Sequence, residues 1–291
     1  SDRYRPLSHF FRQNFSQVTN PPIDSLRENE VMSLKTRFGN LGNILDFENL
    51  TKDNIYVLES PILSNSQFEK FTVFFRNSLK VLDCTFDVHS SLRKRLDQLC
   101  SEAEIAVRKG YKHLILSDKI ISEKKIAIPM ILAFGAINSN LINLGIRGFV
   151  SINIQTGEVL DTHSFAVLLG VGATTINPYL AFDSIYQRYE KKLFGKFSYE
   201  ECVQRYIKSV DNGLLKIMSK MGISVLSAYR GGCNFETVGL SRAIVSEYFP
   251  GIISRISGIG IFGIEAKIKE LHKKAFLRNI SILPIGGIYK Y

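Results

Sequence analysis

Apolar and polar positions follow two spacings along this chain, and the switches between them predict most of its elements. From Arg5 to Ser16 the apolar residues fall at helical spacing, with Phe10, Phe11 and Phe15 on one stripe, which predicts a short amphipathic helix. Thr19-Asn20-Pro21-Pro22 predicts an extended corner, because a residue that precedes proline avoids the helical region. Asp24 is placed to cap a second helix over Ser25 to Arg37, ending near Gly39. Residues 39–53 are rich in Gly and Asn and read as irregular. The apolar runs around Phe71–Phe75 and Lys80–Cys84 each predict a strand.

From Ser101 onward the punctuation sharpens. Ser101 with Glu104 forms a capping-box pattern and predicts a short helix to Gly110. His113–Asp118 reads as a buried strand that ends in polar residues. A helix is predicted from Ile128 to Leu144, with Pro129 in its first turn and Gly145 at its end. Phe149–Gln155 is a second strand, followed by a helix near Ser164–Leu169, a strand at Thr174–Asn177 and a helix that Pro178 opens and that runs to about Leu193. A second capping box, Ser198 with Glu201, starts a long helix through Met221 that Gly222 ends. Ile223–Tyr229 then reads as a strand, with further helices near Ser241–Tyr248 and Gly263–Arg278 before the glycine-rich PIGGIYKY.

Strand–helix–strand–helix–strand–helix implies α/β architecture with parallel neighbours, either a parallel sheet or an arc of a barrel. The strands end on Ser117-Asp118, Gln155-Thr156 and Asn177. That edge carries chemistry in a barrel, and capping of the following helices explains the same residues equally well. A domain junction is expected near residue 195.

Composition narrows the classes. The 291 residues, 45% hydrophobic and 22% charged, suffice for a large core. No apolar run reaches the roughly 18 residues of a membrane span. The polar Ser1-Asp2-Arg3-Tyr4-Arg5 opening predicts no signal peptide and a cytoplasmic protein. The net charge of +10 raises nucleic acid as a partner, but the basic residues sit in short clusters such as Arg93-Lys94-Arg95, Lys124-Lys125 and Lys191-Lys192. A solvated lysine-rich surface explains them more simply. Cys84, Cys100, Cys202 and Cys233 lack the short spacing of a metal or iron–sulfur site and read as reduced buried thiols.

Three motifs carry candidate chemistry. His163, with Asp161 two residues earlier, is a candidate general base, although a hydrogen-bonded structural histidine is the favoured reading. Gly170-Val171-Gly172 resembles a piece of a phosphate loop and equally a tight helix–strand turn. Tyr229-Arg230-Gly231-Gly232 pairs close-approach glycines with an arginine suited to phosphate or carboxylate, or to an interdomain contact.

Several blocks together resemble one family. TNPPIDSLRENEVMSL, HLILSD, IPMILAFGAI, GIRGFVSINIQTGE and THSFAVLLGVGATTINPYLAF are similar, in order, to the central domain of bacterial-type glutamate synthase large subunits. GLLKIMSKMGIS and SAYRGGCNFETVGLSRAIVSEYFPGIISRISGIG resemble the opening of the adjoining FMN-binding synthase domain. The family usually has Glu where Gln155 stands, a His-His pair at His163-Ser164, and often Gly-Tyr-Gly at Gly170-Val171-Gly172.

The resemblance implies a rudimentary FMN-type TIM-barrel-like central domain over 1–195 and an incomplete FMN-binding synthase domain over 196–291. It implies an interior part of an enzyme that makes two glutamates from glutamine and 2-oxoglutarate, with this domain linking the glutaminase and FMN sites and helping to form an ammonia tunnel. FMN and a 3Fe-4S cluster are expected in the full-length enzyme and no cofactor, metal or catalytic residue in this stretch, because the family's FMN motif, its G-E-G-G-E loop and its clustered cysteines are expected beyond Tyr291. Expected partners are the N-terminal glutaminase domain, the C-terminal FMN and glucan-like domains, and a reductase small subunit using NADPH or a ferredoxin, with no membrane or nucleic acid. Asn20-Pro21-Pro22-Ile23-Asp24 is expected to stiffen a corner against neighbouring domains, and Ser219-Lys220-Met221 and Tyr229-Arg230 to face the synthase barrel. The alternative is a free-standing basic module that binds nucleic acid or other polyanions.

Overall fold

A computed structural model describes residues 5–15, 24–39, 45 and 55–277. The Pro21-Pro22 corner, most of the stretch expected to be irregular, and PIGGIYKY lie outside them. The chain begins with a 3-10 turn (Leu7–Phe10), then β1 (Phe11–Gln13), α1 (Ser25–Val31), β2 (Thr36–Phe38) and β3 (Tyr56–Leu58). Next come α2 (Asn65–Phe74), β4 (Leu79–Asp83), β5 (Thr85–Asp87), α3 (Leu92–Arg108), β6 (His113–Ser117) and β7 (Lys125–Ala127). The middle continues through α4 (Met130–Asn143), β8 (Ser151–Gln155), α5 (Thr162–Gly170), β9 (Thr175–Asn177) and α6 (Tyr179–Glu190). It closes with α7 (Tyr199–Met221), α8 (Leu226–Tyr229), β10 (Phe235–Leu240), α9 (Arg242–Tyr248), β11 (Ile253–Ile259) and α10 (Ile261–Ala275).

The parallel sheet expected from the alternation is present, in the order β4-β6-β8-β9. All five residues of β6 are buried, as a parallel strand covered on both faces requires. The free side of β9 is closed by the extended segment before α2, where Ile62 bridges Ile176 and the Leu63 amide donates to the Ile176 carbonyl at 2.9 Å.

A second sheet ties distant parts of the chain together. β1 pairs antiparallel with β10, and β10 pairs parallel with β11. Phe11, fully buried, packs edge-on against Phe235 and Phe249 with centroids 6.4 and 5.0 Å away. One apolar core runs from Leu7 through the parallel sheet to Ile268, so helices before and after residue 195 share it.

Several local expectations give way to tertiary context. The helix expected over Arg5–Ser16 is instead a turn and a strand, because pairing with β10 buries Phe11 while Phe15 stays exposed. The helix expected to Arg37 stops at Val31, where Met32 turns extended and the chain enters β2. Phe71–Phe75 lies on and just after the helix α2, capped by a Ser64–Gln67 box, and its rings pack with Phe38, Tyr56 and His113. No helix starts at Ser101: Ser91 caps a longer α3, and the Ser101 hydroxyl donates to the Asp97 carbonyl instead. Ile223–Tyr229 is not a strand. Its last four residues form α8, held by backbone contact with Ser33.

Where signals are local they hold. Asp24 accepts from the Leu26 and Arg27 amides, and Ser198 with Glu201 forms a reciprocal box at the head of α7. Gly222 ends α7 at φ +69°, a left-handed conformation that glycine adopts without strain. A close approach makes glycine necessary at Gly135 of α4. A Cβ there would lie 2.9 Å from the Tyr248 carbonyl oxygen and against the Phe249 ring. Gly135→Ala is expected to cost about 1–3 kcal/mol. Gly148→Ala, where a Cβ meets nothing within 4 Å, should stay within ~0.5 kcal/mol. Urea midpoints of the two variants check this, and equal midpoints would contradict the packing.

Candidate functional site

The C-terminal edge of the parallel sheet is where the polar strand ends converge. Asp118, buried just after β6, accepts hydrogen bonds from the Thr156 hydroxyl, the Gly157 amide at 3.1 Å and the Tyr179 hydroxyl at 2.9 Å. Burial pushes its carboxyl up, against the pull of those three donors. Beside it the Ser117 hydroxyl donates to Gln155 Oε1 at 2.8 Å, and Gln155 Nε2 donates to Asn177 Oδ1 at 3.3 Å. Asn177, fully buried, donates to the Leu63 carbonyl and to Asn65 Oδ1, each at 3.0 Å. At the far end Asp83 accepts from the Thr85 hydroxyl and from Lys125.

These residues form one ladder across the strand ends. Asp118, Ser117 and Gln155 take partners on the next strand or the turn after it, Asn177 reaches back to the start of α2, and Asp83 holds β5 and β7. Buried polar groups so satisfied fix the positions of β6, β8, β9 and α6. None of them caps the helix that follows its strand: α4 and α6 begin at Pro129 and Pro178 without a side-chain cap, and α5 is capped by Asp161, so pairing across the strand ends replaces the capping account.

His163 sits in the first turn of α5, whose N-cap is Asp161. Its Nε2 lies 3.0 Å from the Ser8 carbonyl, and the Ser8 hydroxyl lies 3.2 Å from that of Ser164. His9 faces Asp161 at 3.9 Å and His163 at 6.1 Å between rings. Burial lowers the His9 pKa, partly offset by Asp161. The His163 imidazole is spent on a carbonyl and the two serine hydroxyls on each other, so the group is a clasp that fastens the first turn to α5.

Gly170-Val171-Gly172 and Tyr229-Arg230-Gly231-Gly232 are brought together. The Gly231 amide donates to the Gly170 carbonyl at 2.8 Å, and Arg230 donates to the Ala173 and Thr174 carbonyls and the Thr36 hydroxyl. The Val171 and Gly172 amides are spent on Val167 and Leu169, so this segment is a tight turn and cradles nothing with its backbone. Tyr229, expected with Arg230 to face the synthase barrel, is wholly buried within the described residues, its hydroxyl donating to Gln13.

Of the cysteines, Cys84 and Cys202 are buried, Cys100 is half-buried and Cys233 is exposed, so the expectation of buried thiols fails at Cys233. Burial pushes the Cys100 thiol up to about 11. Among the described residues, no cluster of His, Cys, Asp and Glu has the makings of a metal site, and no helix is long and apolar enough to cross a membrane.

The description "glutamate synthase central domain" belongs to the family model that matches residues 1–241. The chain belongs to that family. It is 53% identical to the large chain of the NADPH glutamate synthase of Azospirillum brasilense, across 100% of this chain and 19% of that one. It is 39% identical to the corresponding large chain of Bacillus subtilis, and 38% identical to the ferredoxin-dependent glutamate synthase of Pyropia yezoensis, over 97% and 95% of this chain. It thus spans about a fifth of the length of the curated relatives it matches. Among solved structures, a flavocytochrome b2 variant with sulfite bound overlaps 65% of this chain and 42% of its own, at a TM-score of 0.38 and 14% identity. That similarity is too low to bear on function.

Within this central-domain fold, some groups escaped the sequence reading. Arg147 ties α4 to the turns that lead into β8 and β9, donating to Asn138 Oδ1, the Val150 carbonyl and the Gly172 carbonyl. It stood inside the block GIRGFVSINIQTGE without a local signal. Asp211 of α7 accepts from the Ser60 hydroxyl at 2.7 Å, and burial raises its pKa to about 6. A folded-state pKa above the ordinary 3.8 favours the protonated form in the fold. Its stabilising effect is full below that ordinary value and is lost as pH rises through about 6. The loss is on the order of 3 kcal/mol. Asp211→Asn should flatten the fall in unfolding free energy between pH 4 and pH 7, measured by urea titration. Parallel pH profiles for both proteins would refute the assignment.

Proposed function

We propose that this chain is the connecting central part of a glutamate synthase large chain, in an enzyme that converts glutamine and 2-oxoglutarate to two glutamates. The observation that carries this reading is the closed ladder at the sheet edge. Where a barrel enzyme holds its substrate, Asp118, Thr156, Gln155 and Asn177 bind one another and the turns beside them. A family member with its edge filled in this way serves by shape and attachment, linking a glutaminase site to an FMN site and lining part of the ammonia path between them.

The four parallel strands and their helices are read as an arc of a rudimentary FMN-type barrel. Residues 196–291 are read as the opening of the FMN-binding domain, packed on the central part through α7 instead of joined by a free linker. In support, β11 is an edge strand among the described residues, with Ile253 and Ile256 more than half exposed, and Phe262 just beyond it is 82% exposed. Apolar groups on a parallel strand call for a cover, which the remainder of a large chain would supply. FMN and the 3Fe-4S cluster belong to that remainder, and electrons reach it from an NADPH-dependent reductase subunit or a ferredoxin, in the cytoplasm.

The chain alone is expected to hold no flavin, since the backbone amides that follow β6 and β8 are spent within the chain, Asp118 on the Gln155 carbonyl, Thr156 on the Asn177 carbonyl and Gly157 on the Asp118 carboxylate, leaving no amide cradle for a phosphate. Mixed with FMN and run on a sizing column, it should elute colourless. Stoichiometric flavin in the protein peak would overturn the reading and give the central part a flavin site of its own.

A further inference from the structure

At the N-terminal end of β9, opposite the ladder, two half-buried arginines converge on one turn. Arg147 donates to the Gly172 carbonyl at 3.2 Å, and Arg230 donates to the next two carbonyls, Ala173 at 3.0 Å and Thr174 at 2.7 Å. Their remaining acceptors, Asn138 Oδ1, the Val150 carbonyl and the Thr36 hydroxyl, are all neutral.

Two guanidinium charges thus share a desolvated corner with no carboxylate bonded to either among the described residues. Both are lowered to about 10, Arg147 by burial and Arg230 by burial together with the nearby charge of Arg147. Water-poor surroundings and mutual repulsion both disfavour this pair of cations, and an anion between them relieves both. Donors remain for it. Of the five N–H groups of each guanidinium, Arg230 has three engaged and keeps both protons of Nη1, while Arg147 keeps one on each Nη. A planar fork of N–H groups matches the oxygens of a carboxylate or phosphate.

We propose that Arg147 and Arg230 form an oxyanion seat at the turn 170–174, taking either a small free oxyanion or a carboxylate side chain presented by another part of the large chain. The turn is what builds it. Gly172, at φ +120°, aims successive carbonyls at the two side chains and locks their stems, so the unused N–H groups are held in place before any ligand arrives. The weak phosphate-loop pattern at Gly170 and the Tyr229-Arg230-Gly231-Gly232 motif meet here, and the arginines, not the glycine amides, supply the donors.

The test compares thermal unfolding of the 291-residue chain in inorganic phosphate and in chloride at matched ionic strength, with Kd from calorimetry. Phosphate at about twenty times Kd should raise Tm by about 3 °C over chloride. Arg147→Lys and Arg230→Lys keep the charge but lose the fork, and each should weaken phosphate at least tenfold. Arg76→Lys, at an exposed position away from the turn, should leave it unchanged. Should either seat variant fail to fold, the other still decides. Equal Tm in phosphate and chloride, or unaltered affinity in a folded seat variant, would overturn the proposal. A whole large chain separates the two sources: added phosphate binds there if the ligand is free, and is excluded if a neighbouring carboxylate already fills the seat.

Discussion

A parallel strand buried on both faces cannot leave a polar group unpaired, and β6 and β8 impose that condition on everything around them. Helices and loops must cover both faces, and every polar side chain at the strand ends must find a partner within the chain. Asn153 shows the constraint at its tightest. It lies at the centre of β8 with no exposure, donates to the Leu114 carbonyl and the Ser151 hydroxyl, and accepts from Thr175. Removing any one partner would strand a desolvated group, which costs about 1–3 kcal/mol.

The same constraint gives the two ends of the sheet different characters. At the C-terminal edge the side chains answer one another, and Asp118 binds β6 to the turn after β8 and to the first residue of α6. At the N-terminal edge of β9 the arginines answer backbone carbonyls and keep donors in reserve. The second sheet is less complete. Among the described residues β11 has a partner on one side, and its Ile253 and Ile256 stand in solvent. The chain spans about a fifth of its relatives' length, and the proposed role leaves this edge for the rest of a large chain to cover.

Signals written in neighbouring residues were legible in the sequence. The Ser198–Glu201 box, the glycine after Met221, the β6, β8 and β9 strands and the helices between them required no knowledge of distant contacts. What depended on remote pairing was not. Phe10 and Phe11 fall at a spacing that suits a helix, and β1 exists because β10 lies beside it. The aromatic run in α2 imitates a strand because its rings face a cluster built from β2, β3 and β6. β10 and β11, with glycines and polar residues among their apolar ones, carried too little alternation to be read. At the site, Ser117, Asp118, Gln155, Thr156 and Asn177 were identifiable as strand ends, but their partners were not. Tyr179 in particular lies far from Asp118 in the chain and meets it only after the sheet has formed. Arg147 and Arg230 share a turn for the same reason.

The claim that this fold is closed at its parallel sheet and open at its second sheet can be checked directly by hydrogen exchange. Amides of residues 253–259 would be followed in the 291-residue chain and in a whole glutamate synthase large chain that contains it, with residues 113–117 and 151–155 as internal reference. The reference strands should exchange slowly and alike in both, while residues 253–259 should exchange readily in the shorter chain and become strongly protected in the whole one. Equal exchange of residues 253–259 in the two proteins would contradict it.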